Sequence, residues 1–382
     1  MEIYIILKLI WFVLLGVLLM GIAVMVGMDM GVGALLRFVG RNDKERRVAL
    51  NIIGPHWDGN QVWFILGGGA IFAAFPTLYA TSFSTFYVVM ILLLFSMILR
   101  PVAFEYRSKL EGSKWRETWD WMFLISGAVP MIIYGAAMGN VMQGVAYHFE
   151  WNGQYVLEQS FIWYLLNPFA ILAGVLSLCL ALQQGAAMLM IRSEDPIYGR
   201  AKRYGSIAGM IAAVLFVIGG VWVSFIQGFT ITGVVDAGGP ATPLHGPAVA
   251  MQAGAWLDNY AAVPLLWAVP AIGVISMLAA AFLLRSDRPI LGWWVNALAW
   301  VSTIGTVGVS MFPFLMPSTS NPAQSLTVWN ASGSAMSLGW MLAMALIFVP
   351  AIIAYTGWIY ALMSGKRRVT DFDEASEEDE AY

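Results

Sequence analysis

Nine stretches of this chain are each about 20 or more mostly apolar residues long, enough to cross a bilayer as a helix: 9–36, 60–80, 84–104, 118–144, 161–191, 204–227, 260–284, 291–315 and 336–363. The connections between them alternate in charge. Arg37, Arg41, Lys44, Arg46 and Arg47 follow the first stretch, Arg107, Lys109, Lys114 and Arg116 the third, and Arg192, Arg200, Lys202 and Arg203 the fifth. Arg285 and Arg288 follow the seventh, and Lys366, Arg367 and Arg368 the ninth. The loops after the even-numbered stretches hold no lysine or arginine, and only Lys8 and Arg100 stand apart from this pattern. Basic loops stay in the cytoplasm, so the expected fold is an all-α polytopic membrane protein of nine transmembrane helices, N-terminus periplasmic and C-terminus cytoplasmic. The first stretch is longer than a signal-peptide core and lacks a small-residue cleavage pattern, which makes it a retained helix.

A soluble fold is excluded because 59% of the residues are hydrophobic and 11% charged. The net charge of −3 hides a basic body, since seven acidic residues lie between Asp371 and Tyr382. Residues 1–369 are expected to form the membrane domain, and 370–382 a solvated, disordered acidic tail. Cys179 has no second cysteine to pair with, and His56, His148 and His245 are scattered without a CxxCH motif, so no haem or metal site is expected in this chain. Gly27 and Gly31, Gly67 to Gly69, and Gly219 and Gly220 are placed for close helix packing.

The residues most out of keeping with lipid run from Gly54 to Trp63: Gly-Pro-His-Trp-Asp-Gly-Asn-Gln-Val-Trp. A carboxylate at the bilayer centre costs about 2.5–3.5 kcal/mol on insertion scales, so such groups usually face protein or water and serve function. Asp58 has two readings, an N-cap of the second helix or the mouth of a hydrogen-bonded proton path that includes His56, Asn60 and Gln61. Asp29, inside the first helix near its basic end, is either a structural hydrogen-bonding group or has a proton or quinol-related role, alongside Asp58 in that path. Arg100, followed by Pro101 and Glu105, either snorkels or pairs with Asp29 or Asp58. Gly254–Leu257 and Phe312–Pro317 read as loop-to-helix packing. Three classes remain open on these residues: an enzyme subunit, a structural scaffold and a proton-coupled secondary transporter.

Six blocks sharpen the choice: Gly27-Met-Asp-Met-Gly-Val-Gly33, Arg41-Asn-Asp-Lys-Glu-Arg-Arg47, Pro55-His-Trp-Asp-Gly-Asn-Gln-Val-Trp63, Arg100-Pro-Val-Ala-Phe-Glu-Tyr-Arg-Ser-Lys109, Gly254-Ala-Trp-Leu257 and Met311-Phe-Pro-Phe-Leu-Met-Pro317. In these the chain resembles subunit II of the cytochrome bd-type quinol oxidases. The resemblance implies a heterodimer in the bacterial cytoplasmic (inner) membrane with a homologous subunit I. That subunit would carry haem b and haem d, oxidise ubiquinol or menaquinol at its outer face and reduce O2 to water with cytoplasmic protons. Subunit II would support assembly and haem retention, and Asp58 would belong to a proton channel. The implied partners are subunit I, a possible small third subunit, quinol, O2 and membrane lipid, with no nucleic acid. The chain departs from the family at Val26, where an aspartate is common, and at Asn330, where Trp-Asp is usual.

Overall fold

The computed structural model describes residues 2–110, 112–158, 165–362 and 365–368. Among these, eight helices are long and apolar enough to cross a membrane, and a ninth span results if two helices joined at a bend of 118° are counted as one. The acidic tail expected at 370–382 lies outside the described residues.

Helix α1 (Glu2–Val39) has 38 residues. At 1.5 Å per residue it is about 57 Å long, well beyond a hydrocarbon core of about 30 Å, so it links the loops at both ends of the bundle. The other spans are α3 (Trp57–Ala74) with α4 (Pro76–Thr85), α5 (Tyr87–Tyr106), α6 (Ser113–Gln143), α7 (Pro168–Arg192) and α8 (Ile197–Val223). After a short helix α9 (Asp258–Ala262) come α10 (Ala268–Arg285), α11 (Pro289–Met311) and α12 (Ala335–Leu362). Helix α7 is the most buried span and packs on α1, α6, α8 and α11. Its contact with α1 depends on two glycines. A Cβ at Gly31 would fall on the Ala181 carbonyl, and one at Gly185 on the backbone of Gly31 and Val32. That backbone approach supplies dispersion contacts where lipid offers no hydrophobic drive. The other small-residue positions differ, for Gly68, Gly69 and Gly220 face open space.

The second apolar stretch is not one straight helix. Pro76 lacks the N–H that would continue α3 and its ring clashes with the preceding turn, so Phe75 leaves the helical region and α4 departs sideways. The freed Ala74 carbonyl accepts a 2.7 Å hydrogen bond from Gly333 N–H. The first basic loop is also more ordered than expected, because it contains α2 (Asp43–Ile53). Asn42 Oδ1 accepts from Glu45 N–H at 2.9 Å, and Glu45 in turn accepts from Arg41 N–H at 2.7 Å and Asn42 Nδ2 at 3.0 Å, a reciprocal capping arrangement.

At the opposite end, the loops form three two-stranded antiparallel sheets that no long alternation announces. They are β1 (Tyr147–Phe149) with β2 (Tyr155–Leu157), β3 (Gln227–Ile231) with β4 (Val249–Ala253), and β5 (Phe314–Met316) with β6 (Leu326–Thr327). Packing of the loops onto helix ends follows the sequence reading. Trp256 is buried against Phe229 and Phe314, and its indole N–H donates to the Met142 carbonyl at 2.9 Å. Lys8 is buried under this cap and donates to the carbonyls of Trp329 and Ala237 at 2.8 and 3.1 Å.

Candidate functional site

Helix α1 carries Asp29 to a fully enclosed position beside the first turn of α3. Asn60, also buried, donates from Nδ2 to Asp29 Oδ2 at 2.8 Å, and the same Nδ2 lies 2.7 Å from the hydroxyl of Tyr360 near the end of α12. His56, 3% exposed, stacks on the Tyr360 ring at 4.2 Å and 9°. Arg192, at the end of α7, donates to the Tyr360 carbonyl at 3.2 Å. Residues far apart in the chain thus meet in one buried polar cluster. It is incompletely satisfied: Asp29 Oδ1 and both ring nitrogens of His56 are buried without a hydrogen-bond partner. Burial, with Arg192 adding to it, pushes the His56 imidazole down to about 4. The ring is therefore neutral at pH 7.

Asp58 is not part of this cluster. Successive helical residues are rotated by about 100°, so two positions apart Asp58 and Asn60 point to nearly opposite sides of α3: Asn60 is buried and Asp58 exposed. Gln61 is half-buried on the flank between them. His56, not Asp58, occupies the N-cap position of α3, and it makes no side-chain cap hydrogen bond. Arg100 is fully buried, with Nη2 on Met30 Sδ at 2.8 Å and Nε and Nη1 unpartnered. Its charge acts on Asp29 through space, but it forms no ion pair with Asp29 or Asp58, and Glu105 is exposed, with no ion pair among the described residues.

The close ion pairs centre on Asp120, which sequence reasoning passed over, and on Asp43 and arginines it read only as loop charge. Asp120, wholly buried in α6, accepts from Arg107 Nε and Arg46 Nη1, each at 2.7 Å. Arg107 and Arg116 then bridge to Asp43 at 2.8 Å each, so that α2, α5 and α6 share one charge lattice. Nothing local in the sequence marks Tyr360 or Asp120. Asn60 lies 300 residues from Tyr360, and Arg107 and Arg46 lie 13 and 74 residues from Asp120.

The family described as cytochrome bd terminal oxidase subunit II matches residues 7–363. The chain belongs to this family. It is 43% identical to the cytochrome bd-I ubiquinol oxidase subunit 2 of Escherichia coli (strain K12) over 97% of both chains. It is 42% identical to the probable cytochrome oxidase subunit 2 of Haemophilus influenzae over 94% of this chain and 95% of that one. With the cytochrome bd ubiquinol oxidase subunit 2 of Bacillus subtilis the figure is 30%, over 92% and 94%. The fold matches a chain of the bd oxidase structure from Geobacillus thermodenitrificans with a TM-score of 0.66 at 15% identity, covering 94% of this chain and 99% of that one. This subunit II is thus part of a quinol oxidase complex of the bacterial inner membrane, an assembly that includes a subunit I and works with haem and quinol. Family membership sets the transporter reading aside.

Among the described residues no group of three or more His, Cys, Asp or Glu is arranged to hold a metal ion. His56 is wedged against Tyr360, and it lines neither a cavity of about 540 Å³ nor one of about 350 Å³ at the basic end.

Proposed function

We propose that this subunit supports assembly and haem retention in a subunit I that carries haem b and haem d, and that it contributes a proton-uptake path from the cytoplasm for reduction of O2 to water. The orientation that goes with this reading places the N-terminus outside and the basic loops and C-terminus inside. The substrate would be ubiquinol or menaquinol, oxidised on subunit I, and a small third subunit is compatible with it.

The observation that carries the proton path is a buried carboxylate, Asp29, with one oxygen held by Asn60 and the other unpartnered. A buried acceptor left open in this way is normally served by water, and water beside a carboxylate is what proton relay requires. Asp58 supports the same reading from the other side of α3. It is an exposed carboxylate on a helix whose outward face also shows Val62, Ile65 and Phe72, so subunit I docked here would receive a proton directly from it. Gln61, half-buried on the flank between Asp58 and Asn60, would extend the path between the two sides. His56, being neutral, takes part only as a donor or acceptor of hydrogen bonds. The scaffold reading rested on Asp58 as a cap, a position that His56 occupies.

The test is Asp58→Asn in the intact complex, with haem spectrum and turnover read together. The proton-path reading expects normal haem content and turnover lowered about 100-fold, the range for loss of a proton-transfer group. Unchanged turnover with normal haem would refute it.

A further inference from the structure

On the basic end of the bundle, away from the Asp29 cluster, a cavity of about 350 Å³ opens between α8 and α10. It is lined by Gly199, Lys202, Arg203, Ser206, Ile207 and Arg285, with no acidic side chain among them. Lys202 is already neutralised by Asp287, whose two carboxylate oxygens lie 2.7 and 2.8 Å from its Nζ. Arg203 and Arg285 are exposed and make no ion pair among the described residues, so the cavity presents two uncompensated guanidinium groups. Directly beyond it, α8 exposes Ile207, Ile211 and Val214 and α10 exposes Phe282, Leu278 and Ile275. Those spacings of three and four residues give each helix one continuous apolar stripe, and the two helices pack side by side.

We propose that this cavity binds the phosphodiester headgroup of an anionic membrane phospholipid, Arg203 and Arg285 holding the phosphate while an acyl chain lies along the stripes of α8 and α10. Guanidinium forks match phosphate oxygens in geometry as well as charge, and basic pockets between membrane helices are suited to such headgroups. A free phosphate ion has the same charge chemistry but no use for an apolar track leading away from the site. The lipid is therefore the occupant that both halves of the site fit.

The complex, purified from its membranes with its native partners in mild detergent, is incubated with dioleoylphosphatidylglycerol or dioleoylphosphatidylcholine and examined by native mass spectrometry. The expected result is selective retention of the phosphatidylglycerol. The double variant Arg203→Gln, Arg285→Gln should weaken this about tenfold or more, with phosphatidylcholine retention, haem spectrum and partner co-purification unchanged. Arg203→Lys, Arg285→Lys keeps the charge and should retain most of the binding, which separates loss of charge from misfolding. Equal phosphatidylglycerol retention in wild type and the Gln variant overturns the proposal. So does displacement of the lipid by millimolar inorganic phosphate, loss of the partner subunit in place of lipid, or binding seen only after removal of residues 371–382.

Discussion

The basic end of this subunit and the interior site a few turns away both bury carboxylates among arginines, yet they treat them in opposite ways. Asp120 has three close nitrogen contacts from Arg46 and Arg107, and the lattice continues through Asp43 to Arg116. Asp29 accepts one hydrogen bond from a neutral amide, while Arg100, buried near it, spends one nitrogen on a thioether and leaves two without partners. A buried charge is costly unless it is paired and hydrogen-bonded. Saturating the Asp120 carboxylate fastens α2 to α5 and α6, although Nη1 of Arg107 and Nε of Arg116 in the same lattice are buried without a partner. On the proposed reading, leaving Asp29 unsaturated would keep it open to water and protons, a departure from polar satisfaction of the kind found at functional sites.

Breaking the saturated site should have the largest structural effect. Asp120→Ala leaves Arg107 with Asp43 alone and takes the carboxylate partner from Arg46, and removal of one partner from a buried pair costs about 3–5 kcal/mol. The expected outcome is loss of assembled complex, measured by haem recovered per unit of membrane protein. Asp29→Asn should do the reverse. It keeps an acceptor for Asn60 and nearly the same volume, so haem content and thermal stability should hold while oxygen consumption falls about 100-fold. If Asp29→Asn instead lowers haem recovery as Asp120→Ala does, the two regions are alike and the contrast fails. Tyr360→Phe is a finer probe. It removes the hydroxyl 2.7 Å from Asn60 and leaves the stacking surface for His56, which should cost about 1 kcal/mol and slow turnover several-fold.

The same contrast explains how much was legible in the sequence. The spans were, because about 20 apolar residues in a row have few alternatives. The bend at Phe75-Pro76 was visible as a residue pair but not as a change of direction, since proline tells where a helix stops and not where the next one goes. Helix α2 carried a usable signal in Asn42-x-x-Glu45 that the surrounding arginines obscured. Strands of two to five residues were too short to show alternation. At the site, Asp29, His56 and Asn60 stood out one by one because polar residues are scarce in such a chain. Their meeting point on Tyr360 was not readable, because a contact over 300 residues is decided by helix packing and not by local pattern.

The smallest effect is a pH dependence at the saturated end. Glu45 is buried, which by itself would raise its carboxyl, but hydrogen bonds from Arg200 and from the backbone N–H groups of Arg41 and Asn42 outweigh burial and hold it below the ordinary glutamate value. A carboxylate whose folded-state value is lowered contributes stability that is complete above its unfolded value of about 4.5 and is lost as pH falls through the lowered folded value. Thermal stability of the complex should thus decline on the acid side of that range, and Glu45→Gln should lower stability at pH 7 while removing part of the acid decline. Asp29→Asn is the control: it leaves the hydrogen bonds of Glu45 untouched, so the acid decline that Glu45→Gln reduces should persist in it. An acid limb that vanishes in Asp29→Asn and persists in Glu45→Gln would mean that the interior carboxylate, and not the capped one, is the charge on which folding depends.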